Sequence, residues 1–244
     1  MLAIIGGTGL TQMQEVEVLA EHSPYTALGQ ASTPVTEARL EDRKVLFLAR
    51  HGHPHKLPPH KINYRANLLA LQAAGATEIL AINAVGGIDP GLEPANLVLP
   101  DQIIDYTWGR ESTYFDGDFL PLDHIDFSFP YSYEMRLRLL AAARRSGIAI
   151  RDGGTYAATQ GPRLETAAEI KRLAGEGCTL VGMTGMPEAA LARELNLPYT
   201  CLSLVVNPAA GLREQEITLQ EIQEALDLGI HQVHKLLRSY ISSI

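Results

Sequence analysis

Val181-Gly182-Met183-Thr184-Gly185-Met186-Pro187-Glu188 is the stretch whose reading decides the fold. It closes an apolar run, Thr179-Leu180-Val181, that predicts a short buried strand. The chain is then expected to turn at Gly182 and Gly185 and to enter a helix at Pro187. Proline suits the first helical position, where a missing N–H removes no hydrogen bond. That reading leaves the Met183 thioether and the Thr184 hydroxyl at the mouth of a strand, where ligands of open α/β sheets sit. An ordinary strand-to-helix turn is the competing reading of these eight residues taken alone.

Working outward, the same unit recurs. Leu2–Ile5 predicts a strand running into Gly6-Gly7-Thr8-Gly9-Leu10, a glycine-rich turn whose N–H groups and Thr8 hydroxyl suit an anion. The dinucleotide spacing G-x-G-x-x-G is absent there. Lys44–Ala49 predicts a buried strand that delivers Arg50-His51-Gly52-His53-Pro54-His55. Three imidazoles alternating on an extended segment raise the question of zinc. Arg50, Lys56 and Lys61 flank them without a nearby carboxylate or thiol, so an oxyanion fits better than a cation. A solvated loop is the plain alternative. Glu78–Ile82 predicts a strand ending in a second glycine-rich turn, Asn83-Ala84-Val85-Gly86-Gly87. Tyr199–Val206 predicts a strand ending at the amide of Asn207, and Gly154–Ala158 one that leads toward the carboxylate of Glu165. An anion pocket beside a directional amide and carboxylate suggests a ligand with a phosphate-like part and a heterocycle.

Between these units, helices are expected over 63–74, 131–146, the segment closing at Ala174, Pro187–Leu195 and 217–241, and a strand over 97–104. Residues 11–40 read as hairpin-like pieces. Residues 106–130 are aromatic and irregular, a long loop of the kind that usually carries function. No repeat, low-complexity segment or linker interrupts the 244 residues, so one domain over 1–244 is expected. A net charge of −8 without a basic stripe argues against nucleic acid. No apolar run approaches the ~20 residues of a membrane span, and the N-terminus lacks a basic lead and cleavage site. Cys178 and Cys201, both in apolar contexts, fit free thiols in a reducing cytoplasm.

G-G-T-G at 6–9, R-H-G at 50–52, H-K-I-N-Y-R-A-N at 60–67, N-A-V-G-G at 83–87, Y-F-D-G at 114–117, G-P-R-L-E-T at 161–166 and V-G-M-T-G-M-P-E at 181–188 occur in this order. Together they resemble the trimeric purine nucleoside phosphorylase and methylthioadenosine phosphorylase family through nearly the whole chain. The resemblance implies an α/β phosphorylase-type fold with a mixed central sheet flanked by helices. It further implies a homotrimer, or a dimer of trimers, with sites near subunit interfaces. It implies no metal and no cofactor, inorganic phosphate being a co-substrate. The implied reaction is reversible phosphorolysis of a purine nucleoside to free base and a ribose 1-phosphate. Carried over by position, Thr8, Arg50, His51, Asn83, Ala84 and Thr184 would hold phosphate, Met183 would lie under the ribose and Leu164 beside the base. Asn83 stands where the family often has threonine, and Leu164 where it usually has phenylalanine.

The same resemblance bears on substrate. The methylthioadenosine branch carries T-D-x-D at the end of its base-reading strand, whereas this chain reads Val206-Asn207-Pro208-Ala209. A carboxylate only accepts hydrogen bonds, while an amide can donate to N7 and O6 of a 6-oxopurine. Glu165 matches the glutamate that accepts from N1–H in 6-oxopurine enzymes. At the sugar, Ile217 and Leu219 fall where the methylthio branch is apolar, and His124 matches a histidine that branch extends from the adjacent subunit. The combination implies 5′-methylthioinosine as the preferred nucleoside. Methylthioadenosine, a broad inosine and guanosine range, and a non-catalytic nucleotide-binding scaffold are the alternatives.

Overall fold

The computed structural model describes residues 1–7 and 16–244. Its strands are β1 (Leu2–Gly6), β2 (Glu17–His22), β3 (Tyr25–Thr26), β4 (Gly29–Gln30), β5 (Val35–Leu40), β6 (Arg43–Ala49), β7 (Glu78–Gly87), β8 (Leu97–Leu99), β9 (Gln102–Asp105), β10 (Arg151–Asp152), β11 (Thr155–Ala158), β12 (Leu180–Gly182) and β13 (Tyr199–Pro208). The helices are α1 (Tyr64–Ala73), α2 (Tyr133–Ser146), α3 (Ala167–Gly175), α4 (Gly185–Glu194) and α5 (Leu219–Ile241).

The main sheet runs β10-β8-β13-β7-β1-β6-β5-β2, with β12, β11 and β9 branching from β7. Its centre is parallel, since β6, β1, β7 and β13 pair in one direction. Antiparallel pairings of β8 with β13, β5 with β6 and β12 with β7 make the sheet mixed. The α/β architecture with a mixed sheet is the one the sequence led us to expect. The central strands are near-continuous apolar runs because both faces are covered. Alternate residues serve opposite cores: Ile5, Leu46, Leu48 and Ile79 meet α1 and α4, while Ile4, Val45, Phe47 and Leu80 meet α2 and α5. A smaller cluster packs α3 through Ile170 and Leu173 against Val181.

Helix starts are set by local hydrogen bonding. Thr166 and Thr218 each form a reciprocal capping box, with Glu169 and Glu221 respectively. Ser132 caps α2, and Gly147 closes it in the left-handed conformation, which costs a residue without a Cβ little. Because Thr218 is the cap, α5 starts at Leu219, and Ile217 lies outside it.

Two expectations about glycine are corrected. Asn83–Gly87 does not turn; it continues β7 as extended strand. A Cβ on Gly87 would lie 3.0 Å from Leu92 Cβ, and one on Gly86 3.2 Å from Val181 Cγ1. These glycines let β12 and the segment after β7 approach closely. Likewise, a Cβ on Gly182 would lie 2.1 Å from the Tyr156 hydroxyl. Gly182 is there for space, and the chain turns one residue later. Met186 is extended between Gly185 and Pro187, so regular helix begins at Pro187 as its residue type suggests. The expected 97–104 strand is divided into β8 and β9 around Pro100 and Asp101; proline has no N–H to give a sheet ladder.

Candidate active site

The carboxyl ends of β1, β6, β7 and β13 open on one side of the sheet. There they meet the β12–α4 turn and the 159–166 segment around a cavity of about 1390 Å³. Arg50, His51, Asn83, Ala84, Leu164, Glu165, Met183, Thr184, Asn207 and Ile217 all line it. The fold therefore gathers residues that are far apart in sequence. Three expected site residues are not among them. Thr8 lies outside the described residues. Leu219 is a correction: as the first residue of α5 it is 85% exposed and does not line the cavity. His124 is exposed on the 106–131 loop, away from the cavity of its own chain.

Arg50 is 2% exposed, and its donors are largely committed. Nε donates to Glu188 Oε2 at 2.6 Å and Nη2 to Glu188 Oε1 at 2.8 Å. Nη2 also donates to Asn83 Oδ1 at 3.1 Å, and Nη1 to the Ile82 carbonyl at 3.3 Å. A guanidinium has five N–H groups, so one on Nη1 remains without a partner among the described residues. The bidentate fork expected for an anion is thus held by Glu188. Burial opposes the Arg50 charge, but the adjacent carboxylate outweighs it and keeps the guanidinium protonated far above neutral pH. The Tyr199 hydroxyl donates to Glu188 Oε1 at 2.9 Å, completing a buried polar network.

That network orients Asn83. Its Oδ1 faces Arg50, so its Nδ2 is turned the other way. Nδ2 is buried and has no hydrogen-bond partner among the described residues. A buried amide donor without a partner carries a desolvation cost of about 1–3 kcal/mol. A bound anion at the cavity surface would relieve it. Ala84 is exposed beside it, and Thr184 occupies the cap position of α4 without a side-chain capping bond. These groups form an anion-directed end built from dipoles next to a neutralised ion pair.

His51 is held as a neutral imidazole. Its Nδ1 lies 2.8 Å from the Leu57 carbonyl, to which it donates. Its ring stacks on His55, with centroids 4.2 Å apart. Burial pushes its pKa down to about 4, helped by the Arg50 charge and opposed by the Leu57 bond. At neutral pH Nε2 therefore presents a lone pair. It suits the hydroxyl of hydrogen phosphate or a sugar, and it is no cationic donor.

At the other end, Thr159 Oγ1 donates to Glu165 Oε1 at 2.6 Å and fixes one carboxylate oxygen. Asn207 follows a register shift in β13 between Val205 and Asn207. Its Nδ2 donates to the Pro208 carbonyl at 2.7 Å, leaving a second N–H and Oδ1 for a ligand. A Cβ on Gly86 would lie 3.4 Å from that nitrogen, in ordinary van der Waals contact. Leu164 is 42% exposed and forms rim more than wall. Gly161, at φ +61°, brings its backbone so near Met183 that a Cβ would sit 2.4 Å from Sδ. Ile217, Ile222 and Leu226 make an apolar wall, bordered by Gln223, Asp227 and His231. Among the described residues, no group of three or more His, Cys, Asp or Glu is gathered to hold a metal.

Sequence reasoning missed Glu188 and Tyr199. A signal for Glu188 was present: it is the one carboxylate in the apolar opening of α4, Gly185–Ala192, and a buried carboxylate is costly unless it is paired. The Gln223, Asp227 and His231 border carries no local motif and was also missed.

Residues 1–242 match the Phosphorylase superfamily, and the chain belongs to it. It is 53% identical over 241 residues to a probable S-methyl-5′-thioinosine phosphorylase of Pseudomonas syringae pv. tomato, covering 99% of this chain and 98% of that one. It is 41% identical to a 6-oxopurine nucleoside phosphorylase of Pyrococcus furiosus, covering 100% of this chain and 92% of the relative. Methylthioadenosine phosphorylase from Schistosoma mansoni, solved with adenine, superimposes with a TM-score of 0.94 at 28% identity, covering 99% of this chain and 91% of that one.

Proposed function

We propose that this member of the phosphorylase superfamily is a pentosyltransferase that converts S-methyl-5′-thioinosine and phosphate to hypoxanthine and 5-methylthioribose 1-phosphate. The observation that carries the reading is the pairing of Glu165 with Asn207 in one cavity, next to the anion-directed end at Asn83. An amide at 207 can donate to N7 and O6, and a carboxylate at 165 can accept from N1–H, which is the pattern of a 6-oxopurine. The apolar wall at Ile217 supports a thiomethyl group over a hydroxyl, each buried methyl-sized group contributing on the order of 0.8 kcal/mol. Relatives at 51–53% identity with names of this activity support it further.

In the proposed reaction, a phosphate oxygen attacks ribose C1′ as the C1′–N9 bond breaks, and the bonding pair leaves with the purine. The proton of hydrogen phosphate is lost and the purine gains one, so charge balances. Arg50, Asn83, Ala84 and Thr184 hold the anion against C1′ and stabilise the cationic ribose electrostatically. Thr8 joins them by position in the sequence. His51 accepts from the phosphate hydroxyl through Nε2. Met183 supports the ribose, Leu164 borders the base, Asn207 stabilises the departing purine at N7, and Glu165 fixes N1. No cofactor takes part in this scheme. We further propose that the chain is one domain over 1–244 and works as a cytoplasmic homotrimer, or a dimer of trimers, with His124 reaching an adjacent site.

A second reading, a broad 6-oxopurine nucleoside phosphorylase, is favoured by Gln223, Asp227 and His231, which could meet a 5′-hydroxyl. One experiment separates the readings. The protein is incubated with methylthioinosine, methylthioadenosine, inosine or guanosine, with and without phosphate, and free base is measured. Phosphate-dependent release from methylthioinosine above the others is expected. Preference for inosine overturns the 5′ assignment, and preference for methylthioadenosine overturns the base assignment. Asn207→Asp should lose at least tenfold on methylthioinosine, because a donor to the purine becomes an acceptor.

A further inference from the structure

Arg110 stands outside the residues assigned above, yet one guanidinium holds both halves of the cleft. Nη1 donates to the carbonyls of Met183 at 2.8 Å and Met186 at 2.6 Å, in the β12–α4 turn. Nη2 donates to the carbonyls of Thr159 at 3.2 Å and Gln160 at 2.9 Å, on the segment that leads to Glu165. Nε donates to the Gln160 side chain at 3.1 Å. All five N–H groups are thereby used. The guanidinium also sits over the Tyr64 ring, 5.6 Å from its centroid.

The two segments it joins carry different chemistry. The Met183–Met186 turn supplies Met183 and Thr184, the ribose and anion side. Thr159 is bonded through its hydroxyl to Glu165, the base side. Its acceptors in these segments are carbonyl and amide oxygens, so the geometry is set by the flat fork and not by an opposing charge. A lysine, with three donors on one atom, cannot span the same four carbonyls.

We propose that Arg110 is a positioning residue that sets the distance between the base-holding and phosphate-holding halves of the cleft. This rests on the phosphorolysis reading. Attack requires the phosphate oxygen and C1′ at about 3–3.5 Å, and a misplacement near 1 Å costs on the order of 100-fold in rate. Each half keeps its own contacts when the bridge is lost. Phosphate alone and hypoxanthine alone should therefore still bind.

The test compares wild type, Arg110→Lys and Arg110→Ala in phosphate-dependent release of hypoxanthine from methylthioinosine. Calorimetric titrations with phosphate alone and with hypoxanthine alone accompany it. The expected result for Arg110→Lys is a kcat lower by about 100-fold, with both dissociation constants within about threefold of wild type, as independent half-sites would give. Added methylguanidinium should restore turnover to Arg110→Ala saturably and leave Arg110→Lys unmoved. An unchanged kcat in Arg110→Lys overturns the proposal, as does loss of binding in both titrations or failure of rescue. If wild type releases no base in the presence of phosphate, the phosphorolysis reading falls first, and that outcome is visible before any variant is read.

Discussion

Removing the Glu188 carboxylate should strand the Arg50 charge in the interior. The two side chains are 0% and 2% exposed, so neither is screened by solvent. Breaking a buried pair by deleting one partner costs about 3–5 kcal/mol, because the remaining charge has no water to return to. In a chain of this size each kcal/mol moves the melting temperature by roughly 2–4 °C, so Glu188→Gln should melt roughly 6–20 °C below wild type. Deleting both charges should be milder. Arg50→Met with Glu188→Leu fills the volume with apolar atoms and removes the electrostatic penalty. It leaves the Tyr199 hydroxyl and Asn83 Oδ1 without partners, a cost of about 1–3 kcal/mol per buried group. The assay is urea unfolding of wild type, Arg50→Met, Glu188→Leu and the double variant in phosphate-free buffer, read as a double-mutant cycle, with Glu188→Gln measured beside them. The double variant should be more stable than Glu188→Gln, and the Arg50 and Glu188 losses should not add. Phosphate should then raise the melting temperature of Glu188→Gln more than that of wild type, since an anion beside Arg50 replaces the missing carboxylate. Additive losses, or a loss below about 1 kcal/mol in Glu188→Gln, would refute the assignment of the Arg50 fork to Glu188.

Asn83→Ala deletes the unpartnered donor and should weaken phosphate binding by about 10- to 150-fold, the worth of a hydrogen bond to a charged group. Calorimetry with phosphate alone measures this, and affinity within a factor of two of wild type would show that Nδ2 does not meet the anion. For His51 the folded pKa, about 4, lies below the unfolded value near 6.5. The unfolded chain binds the extra proton first, so this contribution to stability is complete above pH 6.5 and is lost as pH falls from 6.5 toward 4. His51→Gln should therefore lose less stability than wild type between pH 7 and 4.5 in urea melts, and identical slopes would contradict a neutral buried imidazole. Ile217→Ser should shift preference from methylthioinosine toward inosine, whereas Leu219→Ser, on an 85% exposed side chain, should leave the kcat/KM ratio unchanged. A shift in both would return Leu219 to the pocket.

The parts of this molecule that were legible in the sequence are those fixed within a few residues. Apolar runs ending in polar or glycine residues located β1, β6, β7, β12 and β13 and, with them, the side chains at their carboxyl ends. Arg50, Asn83 and Asn207 reach one cavity because a parallel sheet presents all its carboxyl ends on the same side. What could not be read is how much of each side chain is already committed. Arg50 and Glu188 are 138 residues apart, and no local pattern shows that one holds the other's fork. Gly86 and Gly87 read as a turn because glycine serves turns and close packing alike, and only the approach of Val181 and Leu92 decides which. Leu219 was misplaced for a smaller reason. The Thr218–Glu221 capping box turns residue 219 outward and leaves residue 217 facing the cavity. The Arg50 case changes the chemistry most. Counted from sequence, the anion end is a cluster of cations, Arg50 with Lys56 and Lys61 around the imidazoles. In the folded chain Arg50 is neutralised by Glu188 and His51 is uncharged. What remains for an anion among the described residues is one N–H of Arg50, the Asn83 amide and the exposed backbone at Ala84, with the Thr184 hydroxyl beside them. Such a set holds an oxyanion by direction more than by net charge. It fits a group that must be aimed at a single carbon atom and then released as a sugar phosphate.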